Sequence, residues 1–90
     1  MSGPLQLRIG VLPGDGIGPE VVPAAVSVID AAVAAHTQVT ITWQRLPIGH
    51  EAIAAYGEPM PPTTLSALDD LDAWILGPHD NASYPQPWQG

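Results

Sequence analysis

Ninety residues, 46% of them apolar and 12% charged, hold enough apolar material for one small packed domain and are not a disordered tail. A net charge of −7, from nine acidic residues against Arg8 and Arg45, argues against a nucleic-acid backbone or an anionic membrane surface as the partner. With neither cysteine nor lysine, the sequence has no disulfide, no thiol chemistry, no Schiff base and no lysine-bearing phosphate loop. Met1-Ser2-Gly3-Pro4 lacks the basic start and apolar core of a signal peptide. No apolar run is long enough to span a bilayer, so the cytoplasm is the expected setting.

Leu5, Leu7, Ile9 and Val11 alternate with Gln6, Arg8 and Gly10, which predicts a strand over Leu5 to Leu12. Leu12-Pro13-Gly14-Asp15-Gly16-Ile17-Gly18-Pro19-Glu20 then reads as a tight glycine turn and a helix start. Glycines at 14, 16 and 18 permit positive φ and close approach to the main chain. Pro19 presets the first helical turn, and Glu20 places a negative charge at the positive end of the helix dipole. Val22, Ala25, Val26, Ile29, Ala32 and Val33 fall at helical spacing with little polar face, so a largely buried helix is expected. Pro23 should distort its first turn or delay its start.

His36-Thr37-Gln38 ends that helix, and Val39, Ile41 and Trp43 predict a second strand, with Arg45 just beyond it. After the break at Pro47-Ile48-Gly49, His50 to Tyr56 reads as a short helix stopped by a C′ Gly57. Glu58 to Pro62 is an extended connector, and Thr63 or Thr64 is the expected cap of a helix running into Asp69-Asp70. Ala73 to Leu76 reads as a buried strand ended by Gly77-Pro78, followed by a polar tail from His79 to Gly90. Trp43 and Trp74 are expected in the core, and His36 and His50 on the surface. Alternating strands and helices imply an α/β fold: a partial open sheet of parallel or mixed strands, with an edge left open.

The glycine turn fits neither common phosphate motif. Gly14, Gly16 and Gly18 give G-x-G-x-G rather than G-x-G-x-x-G, and no acidic residue lies between Ala31 and His50 to meet a ribose hydroxyl. A Walker loop needs a lysine. Val11 to Val21 instead resembles the N-terminal signature of the β-decarboxylating dehydrogenases, the isocitrate and 3-isopropylmalate dehydrogenase family. Tyr56-Gly57-Glu58-Pro59-Met60-Pro61 resembles that family's G-x-P-x-P segment, and Asp72 to Pro78 its following strand and turn. The resemblance covers nearly the whole chain, residues 1–90 reading as the N-terminal segment of one such domain.

That resemblance implies an NAD- or NADP-dependent oxidoreductase that oxidises a 2-hydroxy acid and releases CO₂ with Mg²⁺ or Mn²⁺, working as a homodimer. It puts Gly14, Asp15, Gly16, Ile17 and Gly18 along the cofactor cleft, with His79, Asp80 and Asn81 bordering it. Family members are far longer, and their gripping arginines, catalytic tyrosine and lysine, and metal-binding aspartates lie beyond the point matching Gly90. No catalytic or metal-binding residue is therefore assigned here, and the chain alone is expected to be inactive. Where the leucine-pathway enzymes carry a G-G-P-K-W-D-like run, this chain has Gly77-Pro78-His79-Asp80-Asn81, which leaves isocitrate, tartrate or another substituted malate open.

Several residues have a plainer reading. Asp15 either orients a cofactor group or braces its own turn, the bracing being favoured. Glu20 reads as a helix-start charge rather than an acid catalyst. His79 and Asp80, as neighbours after a strand, should point apart in a polar loop. Tyr84 lies in the tail and carries no assigned role. Two other functions remain open: a fragment resembling 4-phosphohydroxythreonine dehydrogenase, and a small non-catalytic acidic interaction module or gene remnant.

Overall fold

A computed structural model describes residues 4–36 and 38–88. Strand β1 (Leu5–Leu12) leads through the glycine turn to helix α1 (Gly18–Ala34), then to strand β2 (Val39–Arg45). Helices α2 (Gly49–Tyr56) and α3 (Pro62–Asp69) precede strand β3 (Ala73–Leu76), and a 3-10 turn (Asn81–Ser83) follows. The strands form one parallel sheet in the order β2-β1-β3, with Leu5 opposite Val39 and Ile9 opposite Ala73. The fold is therefore α/β, with every described pairing parallel.

Strand alternation sends successive side chains to opposite faces of the sheet. Val11, Trp43 and Arg45 line a cavity of about 390 Å³ with Pro23, Val26 and Ser27 of α1. On the other face Leu12 lines a cavity of about 170 Å³ with Met60, Leu68, Trp74 and Leu76. The buried cluster Leu12, Leu46 and Ile48 sits on this second face, covered by Met60, Ala67, Leu68 and Leu71. Gly10 lies close under this layer: a Cβ would stand 2.8 Å from Leu71 Cδ1, which would have to shift.

The elements match expectation, but burial does not. Helix α1 buries only Gly18 and Val22, and Val28 is 69% exposed. Strand β3 is an open edge, with Trp74 56% exposed and Leu76 similarly so. Trp74 is thus no core residue, and Trp43 is only half-buried, its indole N–H donating to Asp30 at 2.9 Å. Sequence periodicity identifies an apolar face without saying whether anything covers it.

Local details also depart from expectation. Helix α1 starts at Gly18 and runs unbroken through Pro23. A proline this near the N-terminus removes only the one bond that would reach the Pro19 carbonyl. Neither threonine caps α3: Pro61 is the N-cap, and Thr64 turns inward to donate to the Pro47 carbonyl at 3.0 Å. Arg45 belongs to β2 rather than following it. Gly57 does take the left-handed C′ position, with φ of 83° and its N–H on the Ile53 carbonyl. Thr37, Gln89 and Gly90 lie outside the described residues.

Candidate functional site

Because the three strands are parallel, the turns that follow them emerge at one edge of the sheet. Central β1 has β2 on one side and β3 on the other. In open α/β sheets ligands gather outside such carboxyl ends, where the chain order changes direction. The glycine turn after β1 and the Gly77–Ser83 segment after β3 meet at this point, and the Asp15 N–H donates to the Pro78 carbonyl at 2.8 Å.

Asp15 is the hub of the edge. It is 5% exposed, and its carboxylate accepts three hydrogen bonds from two other segments. The His50 N–H, at the start of α2, reaches Oδ1 at 2.9 Å. The Asp80 N–H reaches Oδ2, also at 2.9 Å, and the Tyr84 hydroxyl donates to the same oxygen. Bracing is the role this geometry gives the side chain, but it braces neighbouring loops rather than its own turn. Burial pushes the Asp15 carboxyl up, but the bonds from Asp80, Tyr84 and His50 outweigh it and hold the group below its ordinary value. Burial first, and then the same pairing with Asp15, pushes the Tyr84 phenol up to about 12.

The glycines divide by purpose. Gly14, with φ of 76°, lies under the Pro78 carbonyl, and a Cβ there would overlap it. Gly18 has no positive φ, but a Cβ would run into the Pro13 carbonyl. Gly16, with φ of 58°, has nothing within 4 Å of where its Cβ would be, and Ile17 beside it is 64% exposed. Only the Gly16–Ile17 tip faces outward. The start of α1 offers no anion site, because Gly18 donates to the Asp15 carbonyl and Pro19 has no N–H. Glu20 and Val21 both donate to the Ile17 carbonyl. These bonds occupy the donors that a phosphate would need.

Gly77 to Ser83 flanks this tip. His79 is exposed, and among the described residues no hydrogen bond joins it to Asp80. Asp80 turns back, its carboxylate and carbonyl each 2.9 Å from the Ser83 hydroxyl that donates to them. Asn81 opens the 3-10 turn, and its side chain lies outside the described residues. His50 Nε2 lies 2.6 Å from Ser83 Oγ, and its ring meets Tyr84 edge-on with centroids 4.8 Å apart. His50, Ser83 and Tyr84 therefore belong to the site although the sequence reading assigned them nothing. His50 is exposed as expected; its backbone and ring edge tie it in. Gly49 at φ of 67° was the available signal: a Cβ there would lie 2.8 Å from both Asp15 Oδ2 and the Tyr84 hydroxyl.

Among the described residues no three His, Asp or Glu side chains converge as a cation site, so the residues present do not fit Mg²⁺ or Mn²⁺. Both arginines are engaged. Arg8 donates to the Asp70 carbonyl at 3.3 Å, and Arg45 pairs bidentately with Glu51 at 2.7 Å.

Residues 8–89 match the family profile described as isocitrate/isopropylmalate dehydrogenase. The chain belongs to this family. Among its relatives is the 3-isopropylmalate dehydrogenase of Desulfitobacterium hafniense, 46% identical over 70 residues, which are 78% of this chain and 20% of that protein. The Escherichia coli K12 enzyme of the same name is 44% identical over 70 residues, covering 78% and 19%. The crystal structure of isocitrate dehydrogenase from Methylococcus capsulatus superposes with a TM-score of 0.71 at 34% identity, covering 90% of this chain and 22% of that one. As an isocitrate/isopropylmalate dehydrogenase family chain, it thus spans about a fifth of the length of these relatives. Within the described residues of this family member, no helix is long and apolar enough to cross a membrane.

Proposed function

We propose that this chain forms the cofactor-side wall of an NAD(P)-dependent oxidative decarboxylase acting on a small 2-hydroxy acid of the isopropylmalate, isocitrate or tartrate type. The observation that carries this reading is the Gly16–Ile17 tip, the outward-facing part of the glycine turn, standing at the carboxyl edge of β1 beside β3. Its exposed backbone and isoleucine side chain suit the flat, partly apolar face of a dinucleotide. Gly14, Asp15 and Gly18 lie behind the tip and shape it, while His79, Asp80 and Asn81 form the opposite lip.

The hydride acceptor would be bound NAD or NADP. The 2-hydroxy acid carboxylates need cations, and the developing enolate needs a metal or a positive group. Arg45 is paired with Glu51, Arg8 bonds the Asp70 carbonyl at the other end of the sheet from the tip, and the described residues hold no convergent cation ligands. Substrate grip, metal and proton transfer therefore belong to parts of a complete enzyme that these 90 residues do not supply. The complete enzyme would be a cytoplasmic homodimer.

Two measurements test this. The 90-residue chain, given NAD or NADP, Mg²⁺ and 3-isopropylmalate or isocitrate, is expected to produce no reduced cofactor; turnover would overturn the division of labour. Titrating NAD into the isotopically labelled chain should shift the Gly16 and Ile17 amides. Shifts confined to surfaces away from this tip would sink the cofactor assignment.

A further inference from the structure

Beyond its chain neighbours, no atom lies within 4 Å of where a Gly16 Cβ would stand, so no other segment packs on that side of the tip. Its conformation is set from its two ends. At the far end the Gly18 N–H closes on the Asp15 carbonyl at 2.9 Å, so that end too depends on Asp15. Asp15 in turn is held by His50, Asp80 and Tyr84. Two of those donors are backbone N–H groups that any residue supplies. Tyr84 alone contributes a side chain; it is 3% exposed, stacked edge-on by His50, and reaches Asp15 across 69 positions of sequence. Gly49 leaves open the space that the phenol and carboxylate share.

We propose that Tyr84 is a positioning residue: its hydroxyl, bound to the Asp15 carboxylate, clamps the tail to the glycine turn and holds the Gly16–Ile17 tip in one shape. Its bearing on cofactor binding rests on the function proposed above; the clamp itself does not. A tyrosine serving only to fill space would be replaced by phenylalanine without consequence at the tip. One acting through its hydroxyl would not.

The test is amide hydrogen exchange on the 90-residue chain and its Tyr84→Phe variant. The Gly18 and Asp80 amides, which are hydrogen-bonded to or beside Asp15, should exchange faster by about tenfold, as expected when a bond to a charged group is lost, while the sheet amides of Leu7, Ile9 and Thr42 keep their protection. Unchanged exchange at the tip, or equal acceleration everywhere, would overturn the clamp. A second measurement needs no destabilising change at Tyr84. With 3-fluorotyrosine in place of tyrosine, the Tyr84 signal should titrate at higher pH in the folded chain than in the urea-unfolded chain, and Asp15→Asn should narrow that gap, burial keeping the rest of it. A gap that Asp15→Asn leaves unchanged would also overturn it. NAD added to the unsubstituted chain separates the readings: absent shifts at Gly16 and Ile17 reject the cofactor role, whatever the exchange result.

Discussion

Asp15 stands next to the outward-facing tip, yet its carboxylate points into the protein and accepts three bonds. Asp15→Ala would leave the buried Tyr84 phenol without its acceptor, at about 1–3 kcal/mol, and two part-buried backbone N–H groups at less each. Against a typical domain stability of about 5–15 kcal/mol, the thermal transition of this variant, read by near-ultraviolet circular dichroism, is expected to fall clearly below that of the unsubstituted chain. The pH dependence follows from the same contacts. The lowered Asp15 carboxyl contributes stability that is present above its ordinary value of 3.8 and is lost as pH falls through the lower folded value. Glu51, lowered by Arg45, adds a small exposed contribution to the same limb. Tyr84, raised from 10.0 to about 12, contributes stability that is full below pH 10 and is lost as pH rises toward 12. The urea midpoint should therefore be level at neutral pH and fall at both extremes, and Tyr84→Phe should remove the alkaline limb and, with one of the bonds that hold Asp15 down gone, shallow the acid limb as well. Gly49→Ala forces a side chain into a positive φ and against the carboxylate, so a loss of about 1–3 kcal/mol or more is expected in the same urea titration. The sequence favoured a bracing Asp15 over one that orients a cofactor group, because aspartate side chains often bond nearby backbone in turns. It did not show what Asp15 braces, since the partners lie 35, 65 and 69 positions away.

At the scale of elements, the strands and helices were legible because each carries its own local signal. Alternating Leu5 to Val11 made β1, β-branched Val39 to Ile41 made β2, and Gly57 closed α2. The cap of α3 was misread because the helix starts at Pro62, which presets the first turn and leaves both threonines inside it, where Thr64 donates to the Pro47 carbonyl. Pro23 was expected to distort the first turn of α1 or delay its start, and the helix instead begins at Gly18. Its cost should still be measurable. Pro23→Ala restores one backbone donor toward the Pro19 carbonyl, and a gain of about 1–2 kcal/mol, below the full cost of a mid-helix proline, should raise the urea midpoint. No gain would mean that its contact with the cavity beside Val26 and Trp43 offsets the lost bond.

Across the whole molecule, the radius of gyration of 15.1 Å exceeds the value of about 12 Å expected for a compact domain of this length. The extents of 51 × 25 × 19 Å describe a slab, with apolar α1 residues and the β3 edge turned outward. This was the least legible level, because covering an apolar stripe requires partners that periodicity cannot name. Val28→Glu, on the exposed side of α1, should change the unfolding free energy by no more than about 0.5 kcal/mol. It should also lower self-association in sedimentation velocity at high protein concentration, since it interrupts an exposed apolar stripe. Equal sedimentation of the two chains would show that this face does not drive association.

The order of strands in the sheet has a consequence for synthesis. β1 leaves the ribosome first but occupies the middle of the sheet, so it waits for both neighbours to be made. The glycine turn emerges with β1, but its carboxylate gains its last donor only when Tyr84 clears the exit tunnel. A nascent chain released before that residue carries every atom of the signature turn without the bond that fixes it, and the quality of the first-made segment is decided by nearly the last residue described.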